Sequence, residues 1–330
     1  MNRISAVAVA ALSSLVVFTA PSAQAASYPD KSLRWIIPFP PGGSNDILGR
    51  YLSEKLSDRL GQQVVIDNRG GGNGIIGTEL AAHSPTDGYT LLMISTSFVM
   101  NAAVRTLPYD VERSFDPIAT IARSPNCIVA SQQSGITSVR DLIERAKAAP
   151  GKLSYASTGV GGFNHFGGEL FKTTTGTRLV HVPYRGGGPA MTDVMANQVP
   201  IMFSSVTQVL PNVRGGRLKM IAIGAAQRSP IVPDVPTIAE SGYPDYEVSV
   251  WWAVAAPAGI PRSASAKLEK AFGAILNDAD TKKRLAADAA EPLHMKPAEI
   301  RKMIHADVQK WIEVARRADI RVPGAQTATR

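Results

Sequence analysis

Runs of apolar residues alternate with amphipathic segments along most of the chain. A short β-branched run at 33–39 precedes a segment at 46–60 in which apolar residues recur at helical spacing. This order is repeated many times, which predicts an α/β fold whose mainly parallel sheets are flanked by helices. Further strands are predicted at 63–68, 89–96, 127–131, 153–157, 179–184, 200–205 and 218–224, and further helices at 74–83, 138–149, 163–175, 188–197, 262–276, 279–289 and 297–316.

The order of strands and helices restarts near residue 124, which predicts a second sheet. A long extended run at 246–261 then leads into a tail of helices. The simplest arrangement returns this tail to the first domain, so that two crossovers form a hinge between two lobes. We therefore predict a first domain of residues 26–123 plus 247–330 and an inserted second domain of residues 124–246, with a closing cleft between them.

The first 25 residues have the order of a secretory signal peptide. Arg3 is followed by an apolar run at 4–20 and by the small-residue triplet Ala23-Gln24-Ala25. The apolar run is slightly long for a signal peptide and short for a membrane span, and an uncleaved membrane anchor is the alternative. We predict cleavage after Ala25 and an exported mature chain.

Composition narrows the classes of function. The formal net charge is +8, but the basic residues are spread along the chain, which argues against nucleic-acid binding and modestly favours anionic solutes. The single cysteine, Cys127, lies in a strand-like run, so we expect a small buried side chain rather than a nucleophile. The five histidines lack the paired spacing of a metal site, and neither a metal nor a cofactor is predicted.

Loops rich in Gly, Ser and Thr follow the predicted strands. In parallel α/β sheets, ligands bind beyond the carboxyl ends of the strands, and N–H groups at a helix start form an anion site. Ordinary turn and cap chemistry explains any one of these loops, but several together favour a cleft that captures a carboxylate through main-chain amides and hydroxyls, with no required arginine clamp. The loops span 38–46, 94–97, 155–165, 182–190 and 203–207.

The glycine motif Gly72-x-Gly74-x-x-Gly77 has the spacing of a dinucleotide-binding loop. That fingerprint should follow the first strand of its unit, and an acidic residue should end the next strand. Here the motif follows the second strand, and the third strand ends in Ser95-Thr96-Ser97 with no acidic residue. We therefore interpret these glycines as a tight connection into a helix, with Gly77 allowing close packing on the sheet.

Several polar residues have two possible roles. Ser157, His165 and Asp193 could be arranged as a hydrolase triad, although nothing in their spacing requires it. His165 could instead be a polar residue in a first helical turn or a direct hydrogen-bond donor to a ligand. Asp46 could orient a ligand or the loop amides, or it could cap its own helix and pair with Arg50. Asp193 lies inside a predicted helix and is expected to be structural.

The loop sequences resemble those of Bug receptors, the extracytoplasmic solute-binding proteins of tripartite tricarboxylate transporters. The resemblance covers the mature chain in order and rests on the segments YPDKSLRWIIPFPPGGSNDILGRYLSEKL, VVIDNRGGGNGIIGTELAAHSPTDGYTLLM, LSYASTGVGGFNHFGGELF, VPYRGGGPAMTDVMANQV and VPTIAESGYPDYEVSVWWAVAAPAGIP. It implies a two-lobed Venus-flytrap fold with an inserted second lobe. It also implies a non-enzymatic, monomeric receptor in the periplasm.

The resemblance further implies a small organic carboxylate held between the lobes, largely by main-chain amides and ordered waters, and delivered to transmembrane permease subunits or presented to a sensor kinase. Phe163 and Phe166 hint at a partly apolar or aromatic acid. The candidate ligand-binding residues, taken from the family positions and from the loop chemistry, are Phe39, Pro41, Gly42, Gly43, Asn45, Asp46, Ser95, Thr96, Ser97, Ser157, Thr158, Gly159, His165, Tyr184, Gly186, Gly187, Asp193 and Ser204.

Overall fold

The computed structural model describes residues 28–320. The predicted signal peptide and its cleavage after Ala25 lie outside these residues. The described chain begins with three strand–helix pairs: β1 Leu33–Ile37, α1 Ser44–Leu60, β2 Val64–Asn68, α2 Ile75–Ala82, β3 Thr90–Ser95 and α3 Thr96–Val104. The strand-rich middle of the chain comprises β4 Phe115–Ser131, α4 Val139–Ala148, β5 Ser154–Ser157, α5 Phe163–Thr175, β6 Val180–Pro183, α6 Gly187–Met195, β7 Ile201–Ser205, α7 Val206–Arg214 and β8 Leu218–Ile223.

The chain then returns through a second long strand and ends in helices. These elements are β9 Ser249–Pro257, α8 Arg262–Asn277, α9 Ala279–Ala287, the short strand β10 Glu291–Pro292 and α10 Pro297–Arg317. The amphipathic pattern explains why they form. In α10, Ile300, Ile304, Val308, Trp311 and Ala315 are buried at helical spacing, while the other face is largely exposed. No helix within residues 28–320 is long and apolar enough to cross a membrane.

Two sheets share the strand β4 and define the two lobes. The first lobe contains the strand order β2-β1-β3-β9-β4, and the second contains β4-β7-β5-β6, with β8 also paired to β4. Helices flank both sheets, and the second lobe is inserted into the chain of the first. The predicted α/β class and two-lobed architecture are therefore confirmed. The domain limits proposed from the sequence stay a prediction.

The sheets are mixed, which corrects the expectation of mainly parallel sheets. The pairs β1–β2, β1–β3, β5–β6 and β5–β7 are parallel, whereas β4 pairs antiparallel with β7, β8, β9 and β10. The strands β4 and β9 carry the chain out of the first lobe and back into it. Because these neighbouring crossovers run in opposite directions, they place antiparallel pairs in the middle of the structure.

Two elements differ from the sequence prediction. Strand β4 begins at Phe115, well before the predicted start at Cys127, and the prolines Pro117 and Pro125 lie within it. The strand tolerates Pro117 because its pairing with β9 shifts register between Pro117 and Ala119. Helix α3 was not predicted, because it is buried on most of its surface and therefore lacks an apolar and a polar face.

The crossover segments are tied together by buried hydrogen bonds around Asn126. Its N–H donates to the carbonyl of Val248 at 2.8 Å, and its carbonyl accepts from the N–H of Gly224 at 2.7 Å. The hydroxyl of the fully buried Tyr246 donates to Asn126 Oδ1 (3.1 Å) and approaches the carbonyl oxygen of Gly167 (3.0 Å). This network fixes the place where β4 changes partners from β9 to β7.

We predict that Tyr246→Phe lowers the free energy of unfolding by about 1–3 kcal/mol, because it leaves buried oxygen acceptors without a donor. Urea unfolding of the variant and the wild-type protein measures the difference. Tyr243→Phe is the matched control, since the Tyr243 hydroxyl makes no hydrogen bond within residues 28–320 and the side chain is only half-buried. Equal losses in the two variants would show that the Tyr246 network contributes nothing specific.

Candidate functional site

Five helices begin at one cavity between the lobes. The starts of α1 and α3 come from the first lobe, and those of α5, α6 and α7 come from the second. Each follows the carboxyl end of a strand, directly in α3 and α7 and after a loop in the other three, as expected where ligands bind beyond the carboxyl ends of strands. The cavity is lined by Phe39, Gly43, Ser44, Asn45, Ser95, Ser97, Thr158, Phe163, Asn164, Gly187, Ser205, Gln208 and Val250.

The wall of this cavity, which we call the inner cavity, carries no charged side chain among the described residues. Its electrostatics are therefore set by the helix starts and by hydroxyl and amide groups. The first N–H groups of a helix have no intrahelical partner, and the helix dipole places about half a positive charge there. Five such ends around one space favour an anion, and a carboxylate matches the hydrogen-bond donors.

The lobes are in contact around the inner cavity. Ser97 Oγ of α3 accepts a hydrogen bond from the N–H of Phe163 at the start of α5, at 3.1 Å. The cavity has a volume of about 30 Å³, which is room for about two water molecules. A larger ligand therefore requires the lobes to separate before it enters.

Gln208 in α7 is a site residue that the sequence analysis missed. Its side chain is buried in the cavity wall, and its Nε2 has no hydrogen-bond partner among the described residues. Because buried donors are normally satisfied, this amide is available to a ligand oxygen. Ser44, Asn164 and Ser205 were also missed. Their signal is the polar residue at the first turn of a helix that follows a strand, a pattern shared by many ordinary caps.

The structure divides the predicted site residues into three groups. Phe39, Gly43, Asn45, Ser95, Ser97, Thr158 and Gly187 line the inner cavity. Gly159, Tyr184 and Gly186 line a neighbouring outer cavity, to which Phe39 and Thr158 also contribute. Pro41, Gly42, Asp46, Thr96, Ser157, His165, Asp193 and Ser204 line neither cavity.

Asp46 supports the loop before α1. Its Oδ2 accepts hydrogen bonds from the N–H of Gly42 and from Arg50 Nε, both at 3.0 Å, and its Oδ1 accepts from Asn68 Nδ2 at 3.0 Å. Burial raises the pKa of this carboxyl, but the hydrogen bonds from Arg50, Gly42 and Asn68 outweigh burial and lower it. The predicted ion pair with Arg50 is thus present. Asp46 is not the helix cap, because α1 starts at Ser44 and its N-cap residue is Gly43.

Three further predicted residues lie behind the cavity wall. The Thr96 hydroxyl accepts from the N–H of Trp251 at 2.9 Å and so ties the start of α3 to β9. Asp193 Oδ2 accepts from the Tyr184 hydroxyl at 2.7 Å, which gives Asp193 the structural role expected of it. Ser204 is fully buried in β7, and its Oγ has no partner within the described chain.

The hydrolase triad suggested by the sequence is not formed. Ser157 Oγ lies 2.6 Å from Nε2 of His181, no hydrogen bond joins it to His165 among the described residues, and Asp193 accepts a hydrogen bond from Tyr184. The imidazole of His165 instead stacks on that of His181, with ring centroids 4.1 Å apart, and its Nδ1 accepts from the N–H of Gly161 at 3.2 Å. His165 thus makes these contacts within the protein, in the first turn of α5, and its predicted contact with a ligand stays a prediction.

Burial holds both stacked histidines neutral. It lowers the pKa of His165 to about 4, with help from the positive charges of Lys172 and Arg105. It lowers the pKa of His181 to about 3, with a further contribution from His165. Neutral rings can stack without repulsion, and the stack supports the loop between β5 and α5.

We predict that the free energy of unfolding falls as the pH drops from about 6.5 toward 4. In this window the unfolded histidines take up protons, at a reference pKa near 6.5, while the folded ones do not. Each histidine contributes a slope of at most about 1.4 kcal/mol per pH unit. Urea titrations at several pH values should show a shallower slope in His165→Gln and in His181→Gln. An unchanged slope in both would contradict this prediction, and His83→Gln, at an exposed histidine, is the control.

Comparison with known proteins gives consistent results. The chain matches TctC, the tripartite tricarboxylate transporter family receptor, over residues 48–320. Protein BugT of Bordetella pertussis (strain Tohama I) is 36% identical over 293 residues, which cover 88% of this chain and 90% of BugT.

Two of the similar solved structures contain a small carboxylate. R. palustris Rpa4515 with adipate has a TM-score of 0.87 and 34% identity, and the match covers 89% of this chain and 99% of that one. MatC (Rpa3494) from Rhodopseudomonas palustris with bound malate has a TM-score of 0.83 and 27% identity, covering 87% and 99% of the two chains. The resemblance noted in the sequence is confirmed, and the chain belongs to the TctC or Bug family of tripartite tricarboxylate transporter receptors.

Proposed function

We propose that the protein is a periplasmic receptor that binds a small organic carboxylate in the inner cavity and delivers it to the permease of a tripartite tricarboxylate transporter. The observation that carries this proposal is the convergence of five helix N-termini on a cavity without charged side chains. The adipate and malate in the related structures support the same chemistry. Export with cleavage after Ala25 and a monomeric state belong to the proposal.

The proposed binding mode relies on neutral donors. Main-chain N–H groups at the helix starts and the side chains of Ser95, Thr158 and Gln208 donate to the carboxylate oxygens. Such donors keep a fixed direction because they belong to the backbone or are held by neighbours. Main-chain capture therefore costs little side-chain entropy compared with a flexible lysine or arginine.

Closure of the two lobes is the conformational change that would report the bound ligand to a partner protein. Contacts between lobes, such as the hydrogen bond from Phe163 N–H to Ser97, exist only when the lobes are together. A ligand that bridges helix starts of both lobes adds affinity for that state alone, which is the differential interaction a population shift requires. The permease would then recognise the closed form. A sensor kinase that reads the same form is the alternative partner.

An exported α/β hydrolase is the competing class, and the geometry favours the receptor. Ser157 is fully buried, and its hydroxyl accepts from the N–H of Gly159 at 3.1 Å as well as contacting His181. Within residues 28–320 no carboxylate is hydrogen-bonded to His181, so the orienting group of a triad is missing. We therefore propose that the protein is not an enzyme.

A thermal-shift panel tests the proposed function. We expect one class of organic acid, among aliphatic, aromatic and amino acids, to raise the melting temperature, since ligand at 100 times its Kd stabilises the fold by about 2.7 kcal/mol. Gly43→Val should remove this shift while the protein still folds. A Cβ at Gly43 meets no atom within 4 Å, and its φ of −87° suits any residue, so the added side chain extends into open space beside the first N–H groups of α1.

Gly273→Val is the control for this variant, because a Cβ at that position also meets nothing within 4 Å, on α8 outside both cavities. It should keep the wild-type thermal shift, whatever its effect on helix stability. A panel in which no acid stabilises the wild-type protein would contradict the receptor function. Full binding by Gly43→Val would contradict main-chain capture at α1.

We predict that Gly162→Ala weakens ligand binding by about tenfold or more, because it prevents the lobes from meeting. A Cβ at Gly162 would lie 2.4 Å from Asn73 Oδ1 of the first lobe, and Asn73 is held by hydrogen bonds with Asn101. The φ of −96° at Gly162 suits alanine, so the conflict is one of contact between lobes. Isothermal titration measures the affinity.

Asn73→Gly in the same chain should restore binding, since it removes the opposing side chain and glycine accepts the φ of +58° found there. If this second change does not restore affinity, Gly162→Ala acts by disturbing the N-cap of α5 and not by preventing closure.

A further inference from the structure

The outer cavity adjoins the inner one and is much larger, with a volume of about 400 Å³. Phe39 and Thr158 line both, so they form the boundary between the two spaces. The glycine loop singled out in the sequence forms part of its wall, from Gly71 to Gly74. A volume of this size is within the range of small-molecule sites, whereas the inner cavity accommodates little more than one carboxylate group.

Arg105 gives the outer cavity a positively charged side chain, which the inner cavity lacks. It follows the end of α3, and its Nη2 donates to the carbonyl of Val160 in the second lobe at 2.6 Å. Its Nε is buried and has no hydrogen-bond partner in the described chain. No carboxylate of residues 28–320 forms an ion pair with this guanidinium. Removing a cation from water costs free energy, and no neighbouring anion offsets that cost for the half-buried guanidinium of Arg105.

The remaining wall strengthens the positive character of the outer cavity. Arg185 lies on it and is exposed, while none of its described wall residues is acidic. Arg105 is the stronger candidate of the two arginines, because burial reduces the screening that weakens an exposed charge. An anionic group placed in this cavity would meet the guanidinium of Arg105, which lines the wall and is paired with no carboxylate of the described residues.

We propose that Arg105 is a specificity-determining residue, and that the outer cavity takes a second carboxylate, at the far end of a ligand whose first carboxylate lies in the inner cavity. This inference rests on the proposed receptor function and narrows its substrate class to elongated dicarboxylates. The chain of such a ligand passes Phe39 and Thr158, whose ring and methyl group provide apolar contact. The guanidinium binds the distal carboxylate, and its bond to Val160 links that recognition to the contact between lobes.

Isothermal titration with matched ligands tests the subsite. The probes are the linear dicarboxylates from malonate to suberate and the monocarboxylates of the same chain lengths. In the wild-type protein, the dicarboxylate of best-fitting length should bind at least about tenfold more tightly than its monocarboxylate, the usual effect of a hydrogen bond to a charged group. Arg105→Gln should bring that ratio close to one, because it lowers the affinity for the dicarboxylate much more than the affinity for the monocarboxylate.

The ratio of dicarboxylate to monocarboxylate affinity distinguishes carboxylate binding by Arg105 from a role of Arg105 in lobe closure alone. If Arg105→Gln weakens both ligand series equally, or if the wild-type protein binds both series equally, the subsite is wrong and the receptor function stands. If neither series binds, the subsite is wrong, and the thermal-shift panel with aromatic and amino acids decides separately whether the receptor function stands. Arg140→Gln, which removes an exposed charge on α4 away from both cavities, should keep the wild-type ratio.

Discussion

The rest of the structure depends on an electrostatic constraint, the convergence of helix N-termini on one uncharged cavity. Helix starts from both lobes bring their N-terminal N–H groups and partial positive charge to the same space. An acidic side chain in the wall would neutralise that charge, and the described wall contains none. An anionic ligand is therefore needed to neutralise the positive potential. Under the proposed function, binding and closure are parts of one event, since neither lobe supplies all five helix starts.

Small residues make this arrangement sterically possible. A Cβ at Gly186 would come within 2.7 Å of Pro40 Cδ, and one at Gly187 would come within 2.3 Å of Gln208 Nε2. Gly186 thus serves the contact between the lobes, whereas Gly187 makes room for the Gln208 side chain within the second lobe. The ionisable groups of the predicted site lie one layer further out. Asp46, Asp193 and the pair of stacked histidines hold the loops, and their hydrogen bonds are made to the protein rather than directed into the cavity.

Much of the fold and part of the site were predictable from the sequence. Local periodicity identified most helices and strands, and the strand-end loops pointed to the correct side of the sheets. The sequence could not reveal α3, because a helix buried on most sides has no polar face to mark it. It also could not pair Ser157 with His181, because that contact depends on the register between β5 and β6. Gln208 and Arg105 were missed for the same reason: tertiary packing alone brings them to the cavities.

The central claim is that the inner cavity recognises the negative charge of a carboxylate through neutral donors. The most direct test is isothermal titration of the wild-type protein with the best-binding acid and with its carboxamide, which has nearly the same shape but no charge. The account predicts measurable binding of the acid and at least about a hundredfold weaker binding of the amide, because the helix dipoles and the unsatisfied N–H groups stabilise only the anion strongly. Equal affinity for acid and amide would contradict it.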